Sequence, residues 1–192
     1  MEQRLKAVRP LAGEGRVAGA SPALVGRCRS RVGDDRQHRG AGARLRRGRL
    51  AKKGPQALGR SRGGFSTKVH GVADSLGNPV RFALTAGQLG DAPQAIPLLE
   101  GIDAKAFLAD RAYDSDAILD WIANKNATAV IPPNPRRTNA RQTDWSLYKE
   151  RHKIEILFGM LKHYRRVFAR FDKLAYRYLA FIHFAAACIL LR

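Results

Sequence analysis

Acidic side chains are scarce in this 192-residue chain: 16 Asp and Glu stand against 35 Lys and Arg, a formal net charge of +19. Neutral small-molecule chemistry rarely needs that imbalance, so the surplus implies a polyanionic partner, nucleic acid first among them. Cysteine is scarcer still. Cys28 and Cys188 are the only two and form no C-x-x-C pair, which argues against a disulfide scaffold and a thiolate zinc site and for a reducing compartment. Long hydrophobic runs are missing too. The longest, Tyr178 to Leu191, is broken by His183 and falls short of the roughly 20 residues a bilayer crossing requires. No apolar signal core precedes it. Neither secretion nor membrane insertion is expected.

Aromatic residues are absent from the first fifty positions, where twelve Arg and one Lys face four acids. No apolar periodicity there lasts more than a turn or two. Residues 1–50 are therefore expected to form a disordered basic arm with no core of its own. A tail wrapping DNA phosphates is the ordinary reading of such a charge run. From Gly59 the texture changes to short apolar runs between turn signals. Thr67 to Ala73 and Val80 to Thr85 alternate as strands around Asp74-Ser75-Leu76-Gly77-Asn78-Pro79, which predicts a β-hairpin. Pro93 to Glu100 reads as a short helix, Ala106 to Ala109 as a buried strand, Ser115 to Asn124 as an amphipathic helix and Thr128 to Ile131 as a strand. The three prolines of Pro132 to Pro135 open a basic loop reaching Arg141. Two helices follow, roughly Trp145 to Tyr164 and Leu174 to Leu191. That succession predicts an α/β fold, a mixed sheet flanked by helices.

Two sets of residues in this pattern carry chemistry. Asp110 stands where the buried strand meets a loop, the place at which open α/β sheets bind ligands. It serves equally well as a turn or cap residue, although Asp114 and Ser115 suit the capping role better. On the long helix, Tyr148, Arg151, Glu155 and Lys162 fall within one sector of roughly 60° at about 100° per residue. Ile154, Leu157, Phe158 and Leu161 occupy the neighbouring sector, so the polar stripe borders the buried face. A solvated stripe of ordinary helical ion pairs has the same spacing.

The order Leu108-Ala109-Asp110-Arg111-Ala112-Tyr113-Asp114-Ser115, then Tyr148-x-x-Arg151-x-x-x-Glu155 and Lys162, closely resembles the catalytic half of bacterial insertion-sequence transposases of the DDE type, in the insertion-sequence-five group. Gly59 to His70 and Gly77 to Phe82 resemble the preceding strands of that family. The likeness covers residues 51–192, which the resemblance makes a DDE catalytic domain with a ribonuclease-H-like fold. It implies Asp110 and Glu155 as catalytic, metal-holding carboxylates for Mg²⁺ (or Mn²⁺), with Tyr148, Arg151 and Lys162 contacting double-stranded transposon-end and target DNA. Carboxylates suit that task because hard cations select oxygen ligands, and a pair of ions can activate the nucleophile and stabilise the leaving oxygen. Arg and Lys neutralise phosphates and position the strand. A homodimer, or a full-length transposase as partner, and a cytoplasmic, nucleoid-associated location follow from the same likeness. His70, Asp74 and Asp91 are expected to be structural.

A DDE site needs a third carboxylate, normally an Asp on the first strand, and the sequence offers no such strand. Asp34 and Asp35 are followed by Arg36-Gln37-His38-Arg39-Gly40, with no apolar run to carry them. Plausible codons for Arg36 to Gly48, read one nucleotide downstream, give an Asp-Ser segment resembling the family's first strand. Residues 1–50 are accordingly expected to be an out-of-frame translation, and the sheet to be incomplete at its first strand. The expectation is a transposase-family protein that is catalytically defective. A non-catalytic DNA-binding remnant, or an inhibitor of a full-length transposase, is the alternative. A stand-alone ribonuclease-H-like nuclease is disfavoured by the stripe from Tyr148 to Lys162.

Overall fold

A computed structural model describes residues 22–31, 54–61, 64–138 and 141–192, with backbone alone for residues 27–31. Among the described residues one mixed sheet contains six strands: β1 (Ala23–Arg31), β2 (Gly59–Ser61), β3 (Gly64–Ala73), β4 (Pro79–Ala86), β5 (Ala106–Leu108) and β6 (Thr128–Val130). Six helical segments accompany them: α1 (Ala95–Leu99), α2 (Asp116–Asn124), α3 (Trp145–Tyr148), α4 (His152–Lys162), α5 (Arg165–Phe168) and α6 (Ala175–Leu190). A 3-10 turn, Lys149–Arg151, joins α3 to α4. The long helix expected from Trp145 is thus helical throughout but tightened at Arg151.

The hairpin of β3 and β4 forms as expected, with Val69 opposite Leu84 and Gly71 opposite Phe82. Its turn is built by Asp74, whose Oδ1 accepts from Leu76 N and Asn78 N, both at 2.9 Å, while Gly77 takes a φ of +91°. That left-handed backbone favours glycine. On its other edge β3 pairs antiparallel with β1, and β1 pairs parallel with β5, which pairs parallel with β6.

The expected gap at the first strand is not there. β1 occupies the centre of the sheet, and Ala23, Leu24 and Val25 are buried core residues. Three apolar residues suffice because a central strand borrows its hydrophobic surroundings from both neighbours and both helical layers. The glycine and arginines that follow hid this run from any periodicity count. The remainder of the expected disordered arm, residues 1–21 and 32–50, lies outside the described residues, Asp34 and Asp35 with it.

Alternation along the strands divides the core in two. Leu24, Val69 and Leu108 face Ile154, Leu157, Phe158 and Leu161 of α4 and Tyr178 and Ile182 of α6. Ala23, Val25, Val72 and Phe107 face Leu98 and Leu99 of α1 and Ile118 and Ile122 of α2. Helix α4 sits close on the ladder. Gly26 and Gly71 are cross-strand partners, and a Cβ on them would stand 2.8 Å from Ile154 Cγ2 and 3.0 Å from Phe158 Cζ respectively. The bare backbone of both residues lets these side chains reach the sheet.

Candidate functional site

Asp110 lies two residues past the end of β5, so the buried run Ala106 to Ala109 fixes its backbone beside a strand end. Its side chain is not idle. Asp110 Oδ1 accepts from Ala112 N at 2.9 Å and caps the 3-10 turn Arg111–Tyr113. Capping therefore falls to Asp110, contrary to the expectation from sequence, and Ser115 precedes α2 without a side-chain cap bond. The chain turns within two residues of the strand, so the nearest carboxylate meets the first unpaired amide.

Asp114, the other expected cap, does something else. Its carboxylate is fully buried and accepts from Asn134 N (2.6 Å), Arg137 Nε (2.9 Å) and Arg141 Nη2 (2.9 Å). Burial alone would raise its pKa, but these three donors outweigh burial and hold it below the usual carboxylate range. Arg137 also reaches Asp116 at 2.6 Å. Two arginines of the basic loop, Arg137 and Arg141, are thereby engaged in a clamp.

On the long helix the expected stripe assembles. Arg151 Nη2 donates to Glu155 Oε1, one helical turn on, and its guanidinium lies 5.5 Å from the Tyr148 ring centre. Tyr148 in turn meets Trp145 edge-on at 5.5 Å. Burial would lower the pKa of Arg151, but Tyr148, Glu155 and Asp110 outweigh that and hold it above the usual guanidinium value. Arg151 is thus the cation that feels both carboxylates, Asp110 from the sheet and Glu155 from the helix. Glu155 is 59% exposed at its side chain, and Lys162 is exposed. The stripe runs along the rim of the buried face, as its spacing predicts.

A third carboxylate does not join them among the described residues. The β1–β5 register pairs Leu24 with Leu108, so two residues further on Gly26 stands level with Asp110. The strand itself, Ala-Leu-Val-Gly-Arg-Cys-Arg-Ser-Arg, has no acidic residue. No group of three or more His, Cys, Asp and Glu side chains among the described residues is placed to hold a metal ion. Among the described residues the donor set is too small for a pair of divalent ions: one Asp110 oxygen caps a turn, and one Glu155 oxygen accepts from Arg151.

His70, Asp74 and Asp91 have structural positions, as expected. His70 Nε2 shares a 2.8 Å hydrogen bond with Thr85 Oγ1, and Lys68 Nζ donates to Asp91 Oδ1 at 2.9 Å inside the fold. Arg170, counted with the basic surface by its sequence neighbours, is only 3% exposed. Its guanidinium donates to the carbonyls of Gln56, Ala57, Asp172 and Lys173 and to Thr67 Oγ1, and lies 5.1 Å from the Tyr178 ring centre. Burial pushes its pKa below the usual guanidinium value, an effect that Tyr178 and Asp172 oppose. Sequence reasoning missed both Arg170 and the Asp114 clamp. Asp114 carried a signal, standing with Asp116 in an acidic pair ahead of an arginine-rich loop.

No helix among the described residues is long and apolar enough to cross a membrane. The model of the family described as transposase DDE domain matches residues 38–190. A protein of Brucella ovis named as a transposase for insertion sequence element IS6501 is 46% identical over 130 residues, 67% of this chain and 100% of that protein. A second, from Burkholderia cepacia and named as a transposase for insertion sequence element IS402, is 29% identical over 150 residues, 72% of this chain and 68% of that protein. With strand end, polar stripe and family model all coinciding on one stretch, the chain belongs to the transposase DDE domain family of bacterial insertion sequences.

Proposed function

We propose that this chain binds the DNA of an insertion sequence and does not cut it. The observation that carries the reading is the absence of any acidic residue on β1, the strand that runs parallel to β5 beside it. Two-metal strand cleavage and transfer needs oxygen ligands that fix both ions against a polyanion. Among the described residues Asp110 and Glu155 are two such ligands at most, and Glu155 already accepts from Arg151. Tyr148, Arg151 and Lys162 remain suited to holding a DNA backbone, since a guanidinium, an ammonium and a hydroxyl all address phosphate oxygens. The strand order, with an antiparallel trio β4, β3, β1 and parallel β5 and β6 beside it, supports a ribonuclease-H-like ancestry. The motif spacing supports the insertion-sequence-five group.

The one-nucleotide shift belongs to the same reading. That shift puts the Asp-Ser segment at residues 36–48, outside the described residues, and β1 itself supplies a strand but no acid. Such a remnant acts beside a full-length transposase, competing for its ends. Sequencing the coding DNA with its flanks tests the shift, since the alternative frame and terminal inverted repeats are either there or not.

Binding and cleavage are tested together. Titrating a labelled duplex with the chain from about 50 to about 200 mM salt should lower affinity steeply through counterion release. Supercoiled plasmid in Mg²⁺ or Mn²⁺ should stay intact. Robust nicking that Glu155→Ala abolishes would overturn the reading, as would salt-independent binding.

A further inference from the structure

The carboxylate edge does not account for four exposed aromatic rings elsewhere. Phe65, Phe168, Phe171 and Tyr176 are 51%, 61%, 52% and 59% exposed. Three of them fall between Arg165 and Arg177, a stretch with four exposed Lys and Arg (Arg165, Arg166, Lys173 and Arg177) against the single acid Asp172. The fourth joins them through the sheet. Phe65 lies two residues before Thr67 on β3 and so on the same face, and Thr67 is the side chain that Arg170 reaches. Across the short hairpin, Arg60 is the partner of Phe65.

This surface is held in place from below. The buried Arg170 guanidinium binds the carbonyls of Asp172 and Lys173 on one side and Gln56 and Ala57 on the other, fixing the loop that bears Phe171 against the hairpin that bears Phe65. Arg165 lies 5.8 Å from the Phe171 ring centre, so a cation flanks an outward ring. Exposed rings on an immobilised backbone between basic side chains are what unpaired bases need: stacking planes for the bases and cations for the phosphates. The sign of the charge excludes a second copy of the same surface as occupant, because two patches this basic repel.

We propose that Arg60, Phe65, Arg165, Phe168, Phe171 and Lys173 form a platform for single-stranded DNA, separate from the stripe that holds duplex. The inference rests on the reading of the chain as a binder of insertion-sequence DNA and adds a second kind of DNA to it. Its position fits. β1 continues past Gly26, level with Asp110, to Ser30, which pairs with Thr67. Phe65 lies two residues beyond Thr67, so the span from Gly71, the partner of Gly26, to Phe65 is about 20 Å along the sheet at ~3.3 Å per residue. That equals about six nucleotides at ~3.4 Å per base, so an unpaired flank of that length reaches the rings.

Fluorescence anisotropy with the full chain, a labelled oligothymidylate and a labelled duplex of equal length tests the platform. Phe168→Leu and Phe171→Leu keep an apolar side chain but lose the stacking plane, and each should weaken oligothymidylate binding about tenfold. Duplex affinity should change less than about twofold, which also reports that the variants are folded. Phe171→Trp should match or exceed the parent on the single strand. Equal losses on both DNAs, no loss on the single strand, or binding of duplex alone each overturn the platform and leave the duplex reading standing. Binding of neither DNA at low salt overturns both.

Discussion

Asp114 and Glu155 are both carboxylates paired with arginine, and they do opposite things. Asp114 is sealed from solvent and accepts from three donors on a loop twenty and more residues away. Glu155 is mostly exposed and accepts from one arginine a single turn away on its own helix. An ion pair removed from water and saturated with hydrogen bonds fixes backbone, because losing either partner strands the other. An exposed pair contributes little to stability and leaves its charges free to meet a ligand. Burial, not residue type, separates scaffold from site in this molecule.

That contrast breaks most visibly at the buried end. Arg170→Met keeps the length and removes every donor, leaving the carbonyls of Gln56, Asp172 and Lys173 without their partner, while Ala57 O still accepts from Thr67 Oγ1. Urea unfolding should show a loss of about 3–4 kcal/mol, in line with truncation of a buried, hydrogen-bonded charge. A loss below ~1 kcal/mol would mean that water serves those carbonyls equally well.

Next in size is Asp114→Asn, with an expected loss of about 2 kcal/mol, smaller because Arg137 and Arg141 keep partial access to water. Its pH dependence has a defined sign. The folded carboxyl titrates below its unfolded value of about 3.9, so its contribution is complete above that value and fades as pH falls through the lower, folded one. Thermal melts between neutral pH and about pH 3 should show the parent losing more stability than Asp114→Asn does.

The helix stripe, where Glu155 and Lys162 are exposed and Arg151 is half-buried, should respond in affinity instead. Arg151→Ala and Lys162→Ala should each leave the melting midpoint nearly unchanged while weakening duplex binding and reducing the salt slope by about one phosphate contact. Duplex affinity indifferent to both would remove the stripe from the interface.

The smallest effect is expected at Glu155→Gln. Stability should stay within ~0.5 kcal/mol, as for surface substitutions generally, and duplex affinity should hold or rise, since a negative charge near phosphate is removed. A marked drop in affinity would assign Glu155 a direct part in holding DNA.

Much of this was legible from residues alone. The hairpin around Asp74 to Pro79, the strand ending at Asp110, and the long helix with its rim of Tyr148, Arg151, Glu155 and Lys162 follow from local periodicity and turn chemistry. Three features did not. The apolar run Ala23-Leu24-Val25 is too short to show a period, and becomes a strand only through two neighbours distant in sequence. Arg170 looks like surface charge until Gln56, Ala57 and Tyr178 close around it. Asp110 caps its turn because the backbone folds back at once, a fact of geometry and not of residue order.

The contact between Gly26 and Ile154 has a consequence for the history of the gene. If Gly26 marks the vacated place of a carboxylate, the neighbouring helix has since filled it, with Ile154 fully buried where an aspartate Cβ would have to go. Gly26→Asp alone therefore arrives as an overpacked core costing about 1–3 kcal/mol, and the missing function does not return with it. A compensating change that shortens residue 154 would relieve that contact. A route through the reading frame, which would replace the whole strand at once, avoids it.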